Sequence, residues 1–237
     1  MNLTRKEAEL GMERVAASLR QLEGSPRFVF IGGSSVPLHV TAQRREAEYR
    51  ATKDIDVVIH TATYADYNDI GEQLRKLGFA DDMELPIRWH LDDLMVDVLP
   101  VGDIGHGMGN RWFQLAMERT MKRKLTGGTT VELAVAPVLL ATKLEAFCDR
   151  GKSDPLASHD LEDIITLLDG RPEIVEEVRQ MPEDLQRYLA EQATLLLALP
   201  ELGYLLEGNL TATGEGEERV AQVMSRLREL AALRSAS

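Results

Sequence analysis

The apolar and polar positions follow two regimes that change near residue 135. Before that point, short apolar runs of strand length alternate with segments of helical period. Phe28-Val29-Phe30-Ile31 reads as a buried strand. Lys53-Asp54-Ile55-Asp56-Val57-Val58-Ile59 alternates with a period of two, which puts Asp54 and Asp56 on one face and Ile55 and Val57 on the other. Residues 85–91 and 94–99 predict a hairpin turned at Asp92-Asp93, and residues 121–125 and 129–133 predict another around Gly127-Gly128. Helices are predicted over residues 5–22, after Gly33, and over 64–77, where Gly78 stops the run. After Pro137 the pattern is almost wholly helical, over 138–147, 158–168 ended at Gly170, 172–180, 182–199 and 215–233. Pro172 and Pro182 stand where first-turn prolines are tolerated. The expectation is an α/β chain with a mixed-sheet domain over residues 1–135 and a helical bundle over 136–237.

Chemistry concentrates in the first regime. Gly32 and Gly33 break the first strand and Ser34 opens a helix, whose unpaired N–H groups can hold a phosphate. Two carboxylates ~5 Å apart repel by roughly 3 kcal/mol at an effective dielectric of ~20, so Asp54 and Asp56 ask for a cation or a raised pKa. Oxygen-only ligands suit Mg²⁺ or Mn²⁺. Asp97 interrupts the apolar run 94–99, and a charge in a covered strand is directed at something. Phosphate cradle and acids together point to nucleotide chemistry. The structural alternative is a strand-end Asp pair beside a tight turn.

Ile31-Gly32-Gly33-Ser34, Asp54-Ile55-Asp56 and Asp97 resemble the pattern of the nucleotidyltransferase superfamily that includes DNA polymerase β and the minimal bacterial nucleotidyltransferases. The chain departs from it in spacing, with nineteen residues between Ser34 and Asp54; the polar run 43–50 reads as an enlarged loop. A second block, Ala141-Thr142-Lys143-Leu144-Glu145-Ala146-Phe147, Arg150-Gly151 and Ser158-His159-Asp160-Leu161-Glu162-Asp163-Ile164, looks like the Lys…Arg…Asp-Leu segment of AbiEii-type and MenT-like toxin nucleotidyltransferases. The likeness spans about residues 25–180. It implies that Asp54, Asp56 and Asp97 bind two divalent ions, with Asp97 completing the second metal site or taking the acceptor's proton. It implies that Gly32, Gly33, Ser34, Lys143, Arg150 and Asp160 serve the NTP, with Asp160 orienting Lys143 or Arg150. A snorkelling Lys143 and an N-capping Asp160 are the structural alternatives. Lys152, Arg88, facing the nucleotide, and Asn110-Arg111-Trp112 are further candidates.

Composition narrows this little. A single cysteine, Cys148, excludes an internal disulfide framework and a multi-cysteine zinc site, and the five histidines show no metal-ligand spacing. No signal-like N-terminal segment or apolar run of about 18 residues occurs, so a cytoplasmic enzyme with no membrane contact is expected. The net charge of −12 argues against a general nucleic-acid coat, but it is uneven. Residues 1–150 carry 19 basic and 22 acidic side chains, residues 151–237 carry 8 and 17. Arg119, Lys122, Arg123 and Lys124 cluster, as do Arg44, Arg45, Arg50 and Lys53, and either group could guide a polyanion or form a solvated hairpin edge. Three functions remain open. One is a toxin-type transfer of a nucleoside monophosphate to RNA (tRNA) or a protein hydroxyl, with a cognate antitoxin. The others are transfer to a small molecule such as an aminoglycoside, and a catalytically silent binding partner.

Overall fold

The structure, a computed structural model, describes residues 4–42, 52, 54–61, 63–101, 109–151, 154–210 and 216–233. The described residues form two compact units, one of residues 4–38 and 52–135, the other of 39–42 and 136–233.

The first unit is built on a seven-stranded mixed sheet. Its strands are β1 (Phe28–Ile31), β2 (Asp54–Ile59), β3 (Ala80–Asp81), β4 (Arg88–Leu91), β5 (Leu94–Pro100), β6 (Thr120–Lys124) and β7 (Thr130–Ala134), in the order β3-β4-β5-β2-β1-β7-β6. β2 runs parallel to β5 and β1 parallel to β7; the other pairs are antiparallel. Two helices cover the face that carries Ile55 and Trp89. In α1 (Arg5–Leu19), Ala8, Met12, Val15, Ala16 and Leu19 are buried at the helical period, and Thr4 and Glu7 close its start as a capping box. Gly11 lets this helix approach closely, since a Cβ there would lie 2.6 Å from Ile55 Cδ1. In α3 (Tyr64–Lys76), capped by Thr63, Gly71 rests against Trp89 and the Tyr67 hydroxyl donates to the Val98 carbonyl at 2.8 Å. The short α2 (Gly32–His39) follows β1, and α4 (Phe113–Glu118) packs on β1, β2 and β7.

Both predicted hairpins form. Asp92 takes a φ of 53°, as a tight two-residue turn requires, and Gly128 takes 98° at the other. Glu9 of α1 accepts from the Thr126 amide at 3.0 Å and Glu13 from the Thr129 amide at 3.1 Å, pinning the second turn. The six-residue α4 and the two-residue β3 are additions to the sequence reading, too short to leave a periodic signal.

The second unit is helical. α5 (Ala136–Ala146) is buried on every side from Ala136 to Leu144, which accounts for its continuous apolar run. It passes into a π-helical turn, Phe147–Gly151, before α6 (His159–Gly170). α6 continues through Gly170, two residues beyond the expected run. α7 (Ile174–Arg179), α8 (Glu183–Leu197), α9 (Leu202–Leu210) and α10 (Gly216–Ala232) complete the bundle. The sequence pattern had not marked α9, whose two glycines and preceding Pro200 resemble loop composition. Buried leucines such as Leu139, Leu140, Leu161 and Leu167 each contribute about 1.5–3 kcal/mol. None of the described helices is long and apolar enough to cross a membrane.

A buried ion pair ties α10 to α6: Arg219 Nη2 and Nε donate to the two oxygens of Asp169 at 2.8 and 3.2 Å. Asp169→Ala removes the carboxylate that both these donors reach inside the bundle, and a loss of about 3–5 kcal/mol of stability is expected in chemical denaturation. A loss well under 1 kcal/mol would show that water or another acceptor replaces the carboxylate.

Candidate functional site

The strand registers assemble the acids. In the parallel pair β2–β5, Asp54 stands beside Met95 and Asp56 beside Asp97. Neighbours in register point to one face, so Asp54, Asp56 and Asp97 share the face opposite Ile55 and Trp89. One carboxylate oxygen from each lies within 4.8 Å of the others, with Asp97 buried and the other two half-buried. The Thr52 hydroxyl donates to Asp54 Oδ1 at 3.1 Å and holds that carboxylate.

Arg88 sits across the β4–β5 hairpin from Asp97. Its Nε and Nη2 donate to Asp97 Oδ1 and Oδ2 at 2.7 and 2.8 Å, a bidentate fork, and Nη2 also reaches Asp54 Oδ2 at 3.3 Å. The hydrogen bonds from Arg88 to Asp97, reinforced by the charges of Asp97, Asp54 and Asp56, raise the guanidinium pKa despite its desolvation. Arg88 is therefore engaged by the acids in this arrangement. Three carboxylates against one guanidinium leave a charge of −2, which one divalent ion neutralises. An all-oxygen donor set of this charge fits Mg²⁺ or Mn²⁺.

The glycine turn abuts the same acids. Ile31 pairs with Asp56, and the next residue, Gly32, takes a φ of 76° as it opens α2. A Cβ there would fall 1.8 Å from Asp56 Oδ2, so only glycine permits both the backbone conformation and the approach. The helix thus begins at Gly32, two residues ahead of the expected Ser34, and leaves its first N–H groups unpaired within the helix beside a carboxylate. Ser34 is buried, with a hydroxyl that has no hydrogen-bond partner among the described residues. A turn holding free donors and a buried, unsatisfied hydroxyl suits a phosphate oxygen.

In the second unit, Lys143, Arg150 and Asp160 come together, joined by Asp163, to which the sequence reading gave no role. Lys143 Nζ contacts Asp163 Oδ2 at 2.7 Å and Asp160 Oδ1 at 3.3 Å. Arg150 Nε and Nη2 donate to Asp160 at 2.8 and 3.1 Å, although the Arg150 side chain is 73% exposed. Capping of α6 falls to Ser158, which accepts from the Leu161 amide at 3.3 Å, so Asp160 orients the two cations. Lys143 is buried between two acids, and the accessible cation of the group is Arg150. Asp160 and Asp163, three apart on one helix, were the legible sign that α6 presents a pair of acids.

The remaining candidates separate. Trp112 is buried, and its amide donates to Asn110 Oδ1 at 3.0 Å. Cys148 Sγ contacts Gln192 Oε1 at 3.0 Å within the π-helical turn. Arg44, Arg45, Arg50, Lys53, Lys152 and His106, with the enlarged loop 43–50, lie outside the described residues.

No family model and no curated protein matches the sequence. Among solved structures, the chain is similar to an antigenic nucleotidyltransferase-like protein from Paracoccidioides brasiliensis, at 18% identity and a TM-score of 0.55, over 86% of this chain and 94% of that one. It also aligns with the antibiotic-resistance factor ANT(2'')-Ia, at 12% identity and a TM-score of 0.46, over 83% and 96% of the two chains. The first likeness shows the fold alone: an α/β chain, folded like that protein, with helices following its mixed sheet.

The Asp160 network carries a pH signature. Burial opposes ionisation of Asp160, but hydrogen bonds from Arg150 and the charges of Lys143 and Arg150 outweigh it and lower the pKa below 3.8. Its stabilising contribution is present above that value and is lost as pH falls through the lowered pKa. The stability gap between wild type and Asp160→Asn should be widest near neutral pH and shrink in acid. A gap constant down to about pH 2 would assign the difference to packing.

Proposed function

We propose that this chain is a metal-dependent nucleotidyltransferase that moves a nucleoside monophosphate from an NTP to a hydroxyl, on an RNA end such as that of tRNA or on a protein, as the toxin of a bacterial toxin–antitoxin pair. The observation that carries the catalytic reading is the convergence of Asp54, Asp56 and Asp97 beside the Gly32 turn. The toxin assignment is supported by the resemblance of the Lys143, Arg150 and Asp160 segment.

The acceptor oxygen attacks the α-phosphorus, the bond from that phosphorus to the bridging oxygen breaks, and pyrophosphate leaves. A divalent ion bound by the three acids would polarise the phosphate and favour loss of the acceptor's proton. The chain's own work is positioning. Thr52 fixes Asp54, and Arg88 fixes Asp97 while offsetting part of the negative charge. With both oxygens already accepting from Arg88, Asp97 is better placed as a ligand than as a base. Gly32 brings the backbone against Asp56, and the Gly33 and Ser34 N–H groups with the Ser34 hydroxyl would receive phosphate oxygens. A second reading, transfer to a small cationic acceptor, is favoured by the 17 acidic against 8 basic side chains of residues 151–237. Retention of all three acids speaks against a silent partner.

The test is transfer of labelled NTP in Mg²⁺ to total tRNA, to protein and to an aminoglycoside. Asp56→Asn removes charge without volume, and transfer should fall more than about a hundredfold with an unchanged melting temperature. Full transfer by a folded variant would overturn the metal assignment.

Arg150→Ala should weaken NTP affinity severalfold, read by equilibrium binding, because the exposed guanidinium is the one a phosphate can reach. Unchanged affinity would confine Arg150 to its pairing with Asp160.

A further inference from the structure

A cationic surface forms where three distant segments of the first unit meet at the edge of the sheet. β6 is the terminal strand of the described sheet, so one side of its backbone has no strand partner there. Lys122 and Lys124 alternate along it, both exposed and neither in an ion pair among the described residues. The carboxylate opposite Lys122 is Glu132, and Glu132 is already claimed by Arg27, whose Nη2 and Nε donate to it at 2.8 and 3.1 Å. Arg20 donates to the Thr130 carbonyl at 2.6 Å on the same hairpin. On this face of the hairpin Lys122 and Lys124, with Arg27 beside them, have Glu132 as the carboxylate of the paired strand, in a chain whose net charge is −12. Glu9 and Glu13 reach the turn of the hairpin from α1, which covers the opposite face of the sheet, and each accepts from a turn amide.

The registers place this surface relative to the acids. Ile31 stands beside Asp56, and Phe30 beside Leu133, so Glu132 lies on the Asp56 face and Lys122 and Lys124 share it. Three strand spacings separate β6 from β2, about 14 Å. The two lysines are about 7 Å apart along the strand, a separation of the order of that between successive phosphates in an extended strand.

We propose that the Lys122–Lys124 edge is the RNA-binding surface, gripping the phosphodiester backbone of the acceptor without reading its bases. Charge complementarity favours RNA as the occupant: isolated cations on an open strand edge suit a flexible polyanion, and their field acts locally in an acidic protein. The proposal rests on the RNA-modifying reading.

The experiment compares wild type with the double variant Lys122→Ala/Lys124→Ala, using fluorescence anisotropy with two fluorescein-labelled single-stranded RNAs of unrelated sequence over a salt series. The variant should bind both RNAs severalfold more weakly, and its slope of log affinity against log salt should be shallower by about 1.4. Melting temperature and NTP affinity should not change, because both side chains are exposed. Wild-type affinity and slope in the variant would overturn the proposal and leave the lysines as guards of an edge strand. So would an absence of RNA binding by wild type. Label transfer into RNA with lysine-independent affinity would overturn this surface alone; lysine-dependent binding without transfer would support the surface and overturn the RNA-modifying reading.

Discussion

The parallel register between β2 and β5 is the constraint on which the acidic end of the sheet depends. It sets Asp56 beside Asp97 and, with the alternation of β2, brings Asp54 onto the same face. Carboxylates held this close repel by a few kcal/mol per pair at an effective dielectric of about 20, against a total stability of about 5–15 kcal/mol for an ordinary domain. A slip of one residue would turn Asp97 to the opposite face and relieve the repulsion, but it would also expose Val96 and Val98, which are fully buried. Apolar burial therefore enforces an arrangement that electrostatics resists, and Arg88 reduces the remaining cost by pairing with the most buried of the three acids.

Gly32 extends the same constraint to the start of α2. The pairing of Ile31 with Asp56 ends β1 directly against a carboxylate, so the chain must leave the sheet without a side chain in the way. The positive φ at Gly32 starts α2 at once and leaves no intervening loop. Acids and helix start are thereby fixed by one strand pair, and small displacements of β1 would move both together.

Most of this was legible in the sequence because it follows from short-range rules. Alternation placed Asp54 and Asp56 on one face, and glycine and aspartate pairs located the two hairpin turns. The pairing of Arg88 with Asp97 was also within reach: with the turn at Asp92-Asp93, counting four residues outward on each strand arrives at those two residues. The Lys143 clamp was only half legible, since the spacing of Asp160 and Asp163 is local but the approach of α5 to α6 is tertiary. The short α4, the two-residue β3 and the glycine-bearing α9 left no period long enough to detect.

Net charge was the least instructive quantity, for a physical reason. At physiological ionic strength the field of an exposed charge decays over about 8 Å, so a surface responds to the groups within one or two side-chain lengths and hardly at all to the total. At the β6 edge, what matters is that Glu132 is taken by Arg27, a residue more than a hundred positions away in sequence. Had that pairing been with Lys122, its cross-strand neighbour, Lys124 would be the one unpaired lysine of the strand and Arg27 would lack its carboxylate. The choice of partner, made by tertiary structure, leaves Lys122 and Lys124 without an ion pair among the described residues, on the face that carries Asp54, Asp56 and Asp97.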